Sequence, residues 1–176
     1  MATYKIDPDH SDILFKVKHL MISTITGIFK KFDATAEIDE NDLSNAKVSF
    51  EADVTSIDTK NEQRDAHLQS DDFFNAEKYP KMTFKSTSVQ KISDQEFKVN
   101  GELTIRDVTK PIEMKVEYNG EITDPWGNER LGFEITGKIN RREYGLKWSA
   151  VTEAGGIVVA DDVKLQLNVE MIKQAA

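Results

Sequence analysis

Hydrophobic and polar residues alternate along most of this chain with a period of two. Between Ser11 and Leu20, one face of the pattern carries Ile13, Phe15 and Val17. Successive side chains of a β-strand point to opposite faces, so this alternation predicts a strand with one buried and one solvated face. The same pattern predicts eight strands, in residues 11–20, 25–38, 47–54, 81–89, 96–106, 111–118, 130–139 and 162–171.

The outward faces of these strands indicate how the strands pair. They are rich in Lys, Glu, Asp, Thr and Asn, and strands with one solvated face are typical of antiparallel sheets. In residues 25–38 the alternation changes phase at Lys30 and Lys31, which predicts a β-bulge. The segments between strands read as turns, in residues 37–45, 91–96, 106–111, 119–130 and 154–162.

One segment has the composition of a helix. Residues 59–69 read TKNEQRDAHLQ, and we expect one short helix near residues 59–72. Asp58 or Thr59 is the expected N-cap, with Glu62 close to the capping-box position. The fold class predicted from these elements is all-β with one short helix.

Eight antiparallel strands form either a closed barrel or a two-layer sandwich, and the size of the inward residues bears on this choice. A sandwich core needs volume at nearly every inward position, because protein interiors pack as densely as crystals. Glycines could instead mark bulges or kinks of a solid sheet. Small residues recur on the inward faces here, which favours a hollow apolar lumen: Gly27, Ala34, Ala36, Ala52, Ser86, Ser88, Gly101 and Gly137.

Composition narrows the class of protein. The 176 residues suit a single domain over 1–176, and the net charge of −8 argues against a nucleic-acid partner. With no cysteine, disulfides and thiolate sites are excluded. The chain begins without a secretion-signal pattern and contains no transmembrane run, so we expect a cytoplasmic protein without stable membrane insertion.

Candidate catalytic and metal-binding groups are scattered. Asp9, His10 and Ser11 have the residue types of a nucleophilic triad, but neighbours on an extended chain point to opposite faces. The histidines at 10, 19 and 67 lack the spacing of a metal site, and no glycine-rich loop precedes a helix. The acidic pairs at 71–72 and 161–162 suit turns. We therefore expect no catalytic residue, metal or cofactor.

Three residues stand out as possible ligand contacts. His19 lies on an apolar face, where it is either a core residue or a polar contact near a barrel mouth. Trp126 lies in a turn, where its large ring would have to cover something. Arg141 belongs to a locally positive region with Arg142 and Lys147, which could be a solvated edge or could meet an anionic head group.

Several blocks in order resemble one family. The chain carries SIDT at 56–59, RDAHL at 64–68, and FF at 73–74 followed by YP at 79–80. The first and last blocks are formed by Ile6, Asp7, His10, Ser11, Phe15, His19, Gly27 and Phe29, and by Trp126, Gly127, Arg130, Gly132, Phe133, Arg141 and Gly145; between them lie GELTI at 101–105 and VTKP at 108–111. Together these resemble the YceI-like family of lipocalin-like proteins, although Asp107 and Ala160 stand where that family commonly has glycine.

The resemblance implies an antiparallel barrel with a long apolar tunnel that holds polyisoprenoids, quinone-like tails or other long amphiphiles. It implies no agreed catalytic residues. It also implies that Phe73 and Phe74 lie on the helical segment that closes one end. We expect Trp126 to help close an end as well.

The function expected is non-catalytic binding, storage or transport of a long-chain amphiphilic lipid. Alternatives are an enzyme acting on an isoprenoid-type metabolite and a solid β-sandwich interaction module; a homodimer is possible. The expected ligand-binding residues are Phe15, Val17, His19, Phe29, Phe50, Phe73, Phe74, Phe84, Leu103, Ile105, Met114, Val116, Trp126, Phe133, Ile135, Arg141, Leu165 and Leu167.

Overall fold

A computed structural model describes residues 1–150 and 158–175. Within these residues the chain forms eleven strands, one α-helix and three short 3-10 helices at Pro8–His10, Val54–Ser56 and Arg141–Tyr144. In chain order the main elements are β1 (Ala2–Ile6), β2 (Asp12–His19), β3 (Ser23–Phe29), β4 (Phe32–Asp39), β5 (Asp42–Asp53), β6 (Ile57–Asp58), α1 (Glu62–Gln69), β7 (Lys81–Lys91), β8 (Glu96–Ile105), β9 (Val108–Thr123), β10 (Glu129–Asn140) and β11 (Val159–Lys173).

The strands close into an antiparallel barrel. Strands β4, β5, β7, β8, β9, β10 and β11 pair in that order, and β1 joins β4 to β11 to complete a ring of eight. Strand β11 is long enough to pair with β1 near its end and with β2 near its start. Each strand of the ring has a neighbour on both sides, and inward side chains face one another across a common interior, while β2, β3 and β6 continue from β11 outside the ring. The eight-stranded antiparallel barrel predicted from the sequence is confirmed.

The structure contains strands that the alternation missed. Strand β1 has only five residues, of which Ala2, Tyr4 and Ile6 face inward, which is too short a repeat to recognise. The expected single strand over residues 25–38 is two strands, β3 and β4, separated at Lys30 and Lys31. At this corner the chain changes partners, because β3 pairs with β6 whereas β4 pairs with β5. The predicted turn at 154–162 is wrong from Val159 onward, where β11 begins; residues 154–157 lie outside the described chain.

A bulge in β7 corrects the expected inward set. The register between β7 and β8 shifts between Ser86 and Ser88, so Val89 faces the interior and Ser88 is exposed. The Ser86 hydroxyl accepts the backbone N–H of Val48 at 2.8 Å. Ser86 therefore completes the backbone hydrogen bonding of the wall, Ser88 lies on the outer face, and neither serine enlarges the lumen.

The inward glycines act differently from the expectation that they leave empty space. The ring of Phe15 covers Gly27, where an added Cβ would lie 2.1 Å from the ring. The ring of Phe84 covers Gly101 in the same way, at 2.3 Å. Each glycine lets an aromatic ring lie flat against the wall, an arrangement known from other sheets. The centre of the lumen stays open because these two rings lie against the wall over the glycines and do not project across it.

Helix α1 begins later than expected. Its N-cap is Asn61, whose side chain accepts the Arg64 N–H at 2.9 Å, so the expectation of Asp58 or Thr59 is wrong. Thr59 is instead buried and bonds the Arg64 and Asp65 side chains. The helix has eight residues, and no helix in the described part of the chain has the length and apolarity needed to span a bilayer.

The glycine-and-ring packing makes a testable prediction. Gly101→Ala places a methyl group 2.3 Å from the Phe84 ring and 2.5 Å from the Lys85 carbonyl oxygen, which is backbone. We expect the free energy of unfolding to fall by about 2 kcal/mol from overpacking. Gly132→Ala is the matched control, because its nearest neighbour would be Asn119 at an ordinary 3.6 Å. Denaturant unfolding checks both variants, and equal stabilities would contradict the packing described.

Candidate functional site

The barrel encloses an apolar cavity. Its volume is about 250 Å³, and side chains from ten of the strands, from α1 and from the turns at residues 73–74 and 141–146 line it. Arg141 is the single charged residue among the lining residues of the described chain; all others are aliphatic, aromatic or methionine. An apolar cavity of about 150 Å³ in another protein stays dry and binds benzene, because its walls offer water no polar partners. The interior is therefore a dry space suited to hydrocarbon.

The cavity is long. Its lining runs along β8 from Phe97 to Ile105 and along β11 from Val163 to Met171. Each stretch covers eight residue steps, or about 26 Å at 3.3 Å per residue. Strands of a closed barrel tilt by roughly 40°, so the cavity extends about 20 Å along the axis. It is a tunnel rather than a round pocket.

The segment containing α1 closes one end of the tunnel. Leu68 of the helix and Phe73 and Phe74 of the following turn line the cavity. The Phe74 ring meets Phe29 edge-on at 6.1 Å, and the Phe73 ring lies 5.7 Å from that of Trp148. The expectation that both phenylalanines lie on the helix is wrong, because α1 ends at Gln69 and the chain turns so that both rings enter the barrel.

Arg106 fastens this end segment to the barrel. It lies in the tight turn between β8 and β9, with a positive φ of 56°. Its guanidinium donates to the carbonyl oxygens of Asp71 and Phe73, both at 2.8 Å, and to the Asp71 carboxylate at 2.9 Å. A left-handed backbone is unfavourable for a residue with a side chain. The three hydrogen bonds offset the cost of this backbone conformation. They also fix the position of Phe73 at the end of the tunnel.

Arg141 binds backbone. It is 3% exposed, and its guanidinium donates to the carbonyl oxygens of Leu146 at 2.6 Å, Trp148 at 2.8 Å, Ala160 at 2.9 Å and Val159 at 3.3 Å. These bonds tie the segment after β10 to the start of β11. The guanidinium thus already has backbone partners, and a head-group contact would have to compete with them.

Burial also affects the charge of this group. Desolvation lowers the pKa of Arg141 below its ordinary value, while Asp161 at 3.7 Å opposes that shift. An arginine pKa starts so high that the group stays protonated at neutral pH. Arg141 is therefore a fixed positive charge beside Phe73, whose ring centre is 5.9 Å from the guanidinium carbon.

Two expected ligand contacts lie outside the lining. Trp126 is 80% exposed, in a turn where the Asp124 carboxylate accepts the N–H groups of Trp126 and Asn128, both at 2.9 Å. The prediction that Trp126 closes an end is wrong, because this turn directs the ring into solvent. His19 is half-buried at the end of β2, opposite Val159, and does not line the cavity.

The remaining expected residues all line the cavity. These are Phe15, Val17, Phe29, Phe50, Phe73, Phe74, Phe84, Leu103, Ile105, Met114, Val116, Phe133, Ile135, Arg141, Leu165 and Leu167. The alternation also placed other lining residues on the inward faces that were not among the expected ligand-binding residues, such as Ile13, Val99 and Val169. Leu68 carried no such signal, because its position depends on how the end segment folds back over the barrel.

A polar network lies at the opposite end of the barrel. Arg130 of β10 contacts Asp7 at 2.7 Å, Asp124 at 2.8 Å and Glu170 at 3.0 Å, and His10 contacts Asp7 at 2.8 Å. Burial raises the pKa of Asp7, but hydrogen bonds from Arg130 and His10 outweigh it and bring the pKa below its usual range. The hydrogen bond to Asp7 raises the pKa of His10.

This network is a structural fastening. Asp7, His10 and Glu170 lie close enough to share an ion, yet the Arg130 guanidinium already contacts both carboxylates. The Ser11 hydroxyl accepts the Glu170 N–H at 3.0 Å. His10 and Ser11 thus have different partners and form no relay.

A closed antiparallel barrel with a dry internal tunnel defines a lipocalin-like protein. The family model described as the YceI-like domain matches residues 4–171. The chain therefore belongs to the YceI-like family, as the motifs indicated.

Relatives span nearly the whole chain. Protein YceI of Escherichia coli O157:H7 is 41% identical over 175 residues, covering 98% of this chain and 88% of that protein. A UPF0312 protein of Staphylococcus epidermidis strain ATCC 12228 is 40% identical over 171 residues, covering 97% of each.

Solved structures share the fold. A YCEI protein of Campylobacter jejuni, crystallised with large solvent channels, has a TM-score of 0.77 at 36% identity over 90% of both chains. BcnA of Burkholderia cenocepacia has a TM-score of 0.82 at 22% identity, covering 94% of this chain and 98% of that one. A polyisoprenoid binding domain from Saccharophagus degradans has a TM-score of 0.72 at 14% identity, covering 99% and 100%.

The role of Arg141 can be separated from that of its neighbour. Arg141→Met leaves several buried carbonyl oxygens without donors, so we expect the free energy of unfolding to fall by about 3 kcal/mol. Arg142→Met removes only the exposed contact of Arg142 with Asp161 and should cost less than about 1 kcal/mol. Chemical denaturation checks the pair. Similar losses in the two variants would show that the buried hydrogen bonds do not hold this segment.

The network around Arg130 predicts that the stability of the fold depends on pH. The hydrogen bond from Arg130, helped by backbone N–H groups and opposed by desolvation, lowers the pKa of Asp124 to about 2. Because this pKa is below the unfolded value, ionised Asp124 stabilises the fold above about pH 4, and this contribution disappears as the pH falls toward 2. On acidification the Tm of Asp124→Asn should fall less than that of the parent protein. The Tm of Asp94→Asn, whose carboxylate is exposed, should fall as much as that of the parent. An unchanged acid response in Asp124→Asn would contradict this assignment.

Proposed function

We propose that this protein binds and carries a long-chain amphiphilic lipid in the barrel tunnel without chemically changing it. The observation that carries the proposal is a dry tunnel about 20 Å long whose lining is hydrocarbon apart from Arg141. A space of this shape accepts one extended apolar chain. It offers an internal water molecule too few polar partners to be stable there.

Energetics favour such a ligand. Burial of one methylene group contributes about 0.8 kcal/mol, so an isoprene unit contributes about 4 kcal/mol. Ordering the chain and losing its translational freedom offset much of this gain. Several units in contact with the wall still give tight binding without any charged contact.

The isoprenoid class is the first to test. The domain from Saccharophagus degradans is described as polyisoprenoid-binding, and its barrel superimposes on this one. Isoprenoid quinones and fatty-acid-like chains share the same apolar length and remain within the proposal. The expected lining residues, from Phe15 on β2 to Leu167 on β11, would form the binding surface.

An enzyme fits the tunnel less well. Acid–base chemistry needs titratable groups within reach of the substrate. Among the described lining residues, Arg141 is the sole titratable group, and its guanidinium is bonded to backbone carbonyls. The second alternative, a solid sandwich, is wrong because the sheet is closed and hollow.

The biological setting remains a prediction. Cell fractionation with an antibody against the native chain checks the expected cytoplasmic location. Light scattering of purified protein checks whether the possible homodimer forms. Neither outcome alters the binding proposal, because described residues of a single chain line the tunnel.

Native mass spectrometry tests the proposed function directly. Protein purified from cells without detergent should carry a co-purifying lipid, or take up an added prenyl lipid as a one-to-one adduct. Leu167→Trp fills the tunnel and should reduce this adduct at least tenfold, equivalent to about 1.4 kcal/mol. Lys164→Trp adds the same ring to the exposed face of β11 and should leave the adduct unchanged. No adduct in the parent protein, or equal adducts in both variants, would refute the proposal.

A further inference from the structure

The hairpin between β2 and β3 has an unusual tip. The Ile22 N–H donates to the His19 carbonyl oxygen at 3.2 Å, which closes a four-residue turn. Both central residues have positive φ, 53° at Leu20 and 61° at Met21. Turns of this kind normally use Asn or Gly, because larger side chains are strained in the left-handed region. This chain instead places two large apolar residues there.

The strain is accompanied by exposure of apolar surface. Met21 is 61% exposed and Ile22 is 84% exposed, while Leu20 is 37% exposed. Residues 20–22 therefore form one contiguous apolar tip, which we call the hairpin tip. Backbone strain that persists together with exposed apolar surface suggests a role for the segment outside folding.

The β2–β3 hairpin itself carries no acidic residue near its tip, and the two acidic residues beside it at the start of β11, Asp161 and Asp162, contact Arg142 and Lys138. Residues 13–32 contain no Asp or Glu, in a chain with 31 acidic residues and a net charge of −8. Lys18 lies on the outward face of β2 two residues before the hairpin tip, and Lys16 lies on the same face two residues further back. Lys16 pairs across the sheet with Lys164, which extends the positive surface onto β11.

The hairpin tip lies at the end of the tunnel that the α1 segment closes. His19 pairs with Val159, a lining residue at the start of β11, and the Leu20 N–H donates to the Val158 carbonyl oxygen at 2.9 Å. Val17, two residues before His19, also lines the tunnel. An object in contact with the hairpin tip would therefore sit beside the α1 segment that covers this end of the tunnel.

We propose that the hairpin tip docks this end of the barrel onto an anionic lipid bilayer. The three apolar side chains enter the interfacial layer, and the lysines of β2 and β11 contact anionic head groups. The inference rests on the proposed function for its purpose, since docking would place the end of the tunnel that the α1 segment covers at the bilayer, where a lipid would be taken up or released.

The size of the hairpin tip favours a bilayer over a protein partner. A stable protein interface buries about 1,000 Å² or more with good complementarity, which three residues at the end of one hairpin do not supply. Interfacial membrane binding combines a small inserted apolar group with attraction between lysines and anionic lipids, and both are present here.

Vesicle co-sedimentation of the full chain tests the proposal, with phosphatidylglycerol vesicles compared against phosphatidylcholine vesicles at low salt. The informative variant is Leu20→Asn with Met21→Gly, because it removes two of the three apolar side chains and relieves the strained turn. We expect its Tm to rise by about 2–4 °C. Vesicle binding should fall at least tenfold. The control is Ile122→Ser, which removes a side chain that is 67% exposed at the far end of β9.

The proposal predicts that the parent protein and Ile122→Ser bind phosphatidylglycerol vesicles equally and bind phosphatidylcholine vesicles at least tenfold more weakly. Full vesicle binding by the double variant would overturn it, as would no binding by the parent protein. The proposal would also be overturned if the parent protein formed a dimer that the double variant does not form, with no vesicle binding by either, because the hairpin tip would then contact a second copy of this chain.

Native mass spectra of the same samples separate the two proposals. A retained lipid without vesicle binding refutes docking alone, whereas vesicle binding without any lipid adduct refutes the tunnel function alone.

Discussion

Closure of the sheet is the constraint on which the tunnel depends. In a closed ring every backbone N–H and C=O group of the wall can pair with a neighbouring strand, so the interior receives only side chains. Those side chains are apolar at every described lining position except Arg141. Water in such a space would lose hydrogen bonds that nothing replaces. Dryness is thus a property of the whole ring, and a ligand chain gains from it along the full length of the tunnel.

The two ends of the barrel are fastened by different arginines. Arg130 joins the corner after β1 to β10 and β11 through three carboxylates. Arg141 and Arg106 hold the opposite end through backbone carbonyl oxygens, and so position Phe73 and its neighbours over the tunnel. In each case a charged group stabilises the frame of the barrel, and binding is left to hydrocarbon. This division is what the proposed binding of a lipid in the tunnel requires.

The sequence predicted the barrel and most of its lining because both follow from a period of two. Phe84 and Leu165 could be assigned to the interior from their strands alone. The alternation could not show that Phe84 lies flat over Gly101, since that contact joins two strands across the sheet. It also failed at Trp126, whose direction depends on the hydrogen bonds of one turn, and at Ser88, where a bulge reverses the faces.

Calorimetric titration of lipid-free protein with prenyl alcohols of increasing length tests the central claim most directly. If hydrocarbon burial in a dry tunnel drives binding, affinity should rise with each isoprene unit and level off once the chain fills about 20 Å. Each binding event should also have a negative heat-capacity change. Affinity that is independent of chain length, or no heat of binding at any length, would contradict the account.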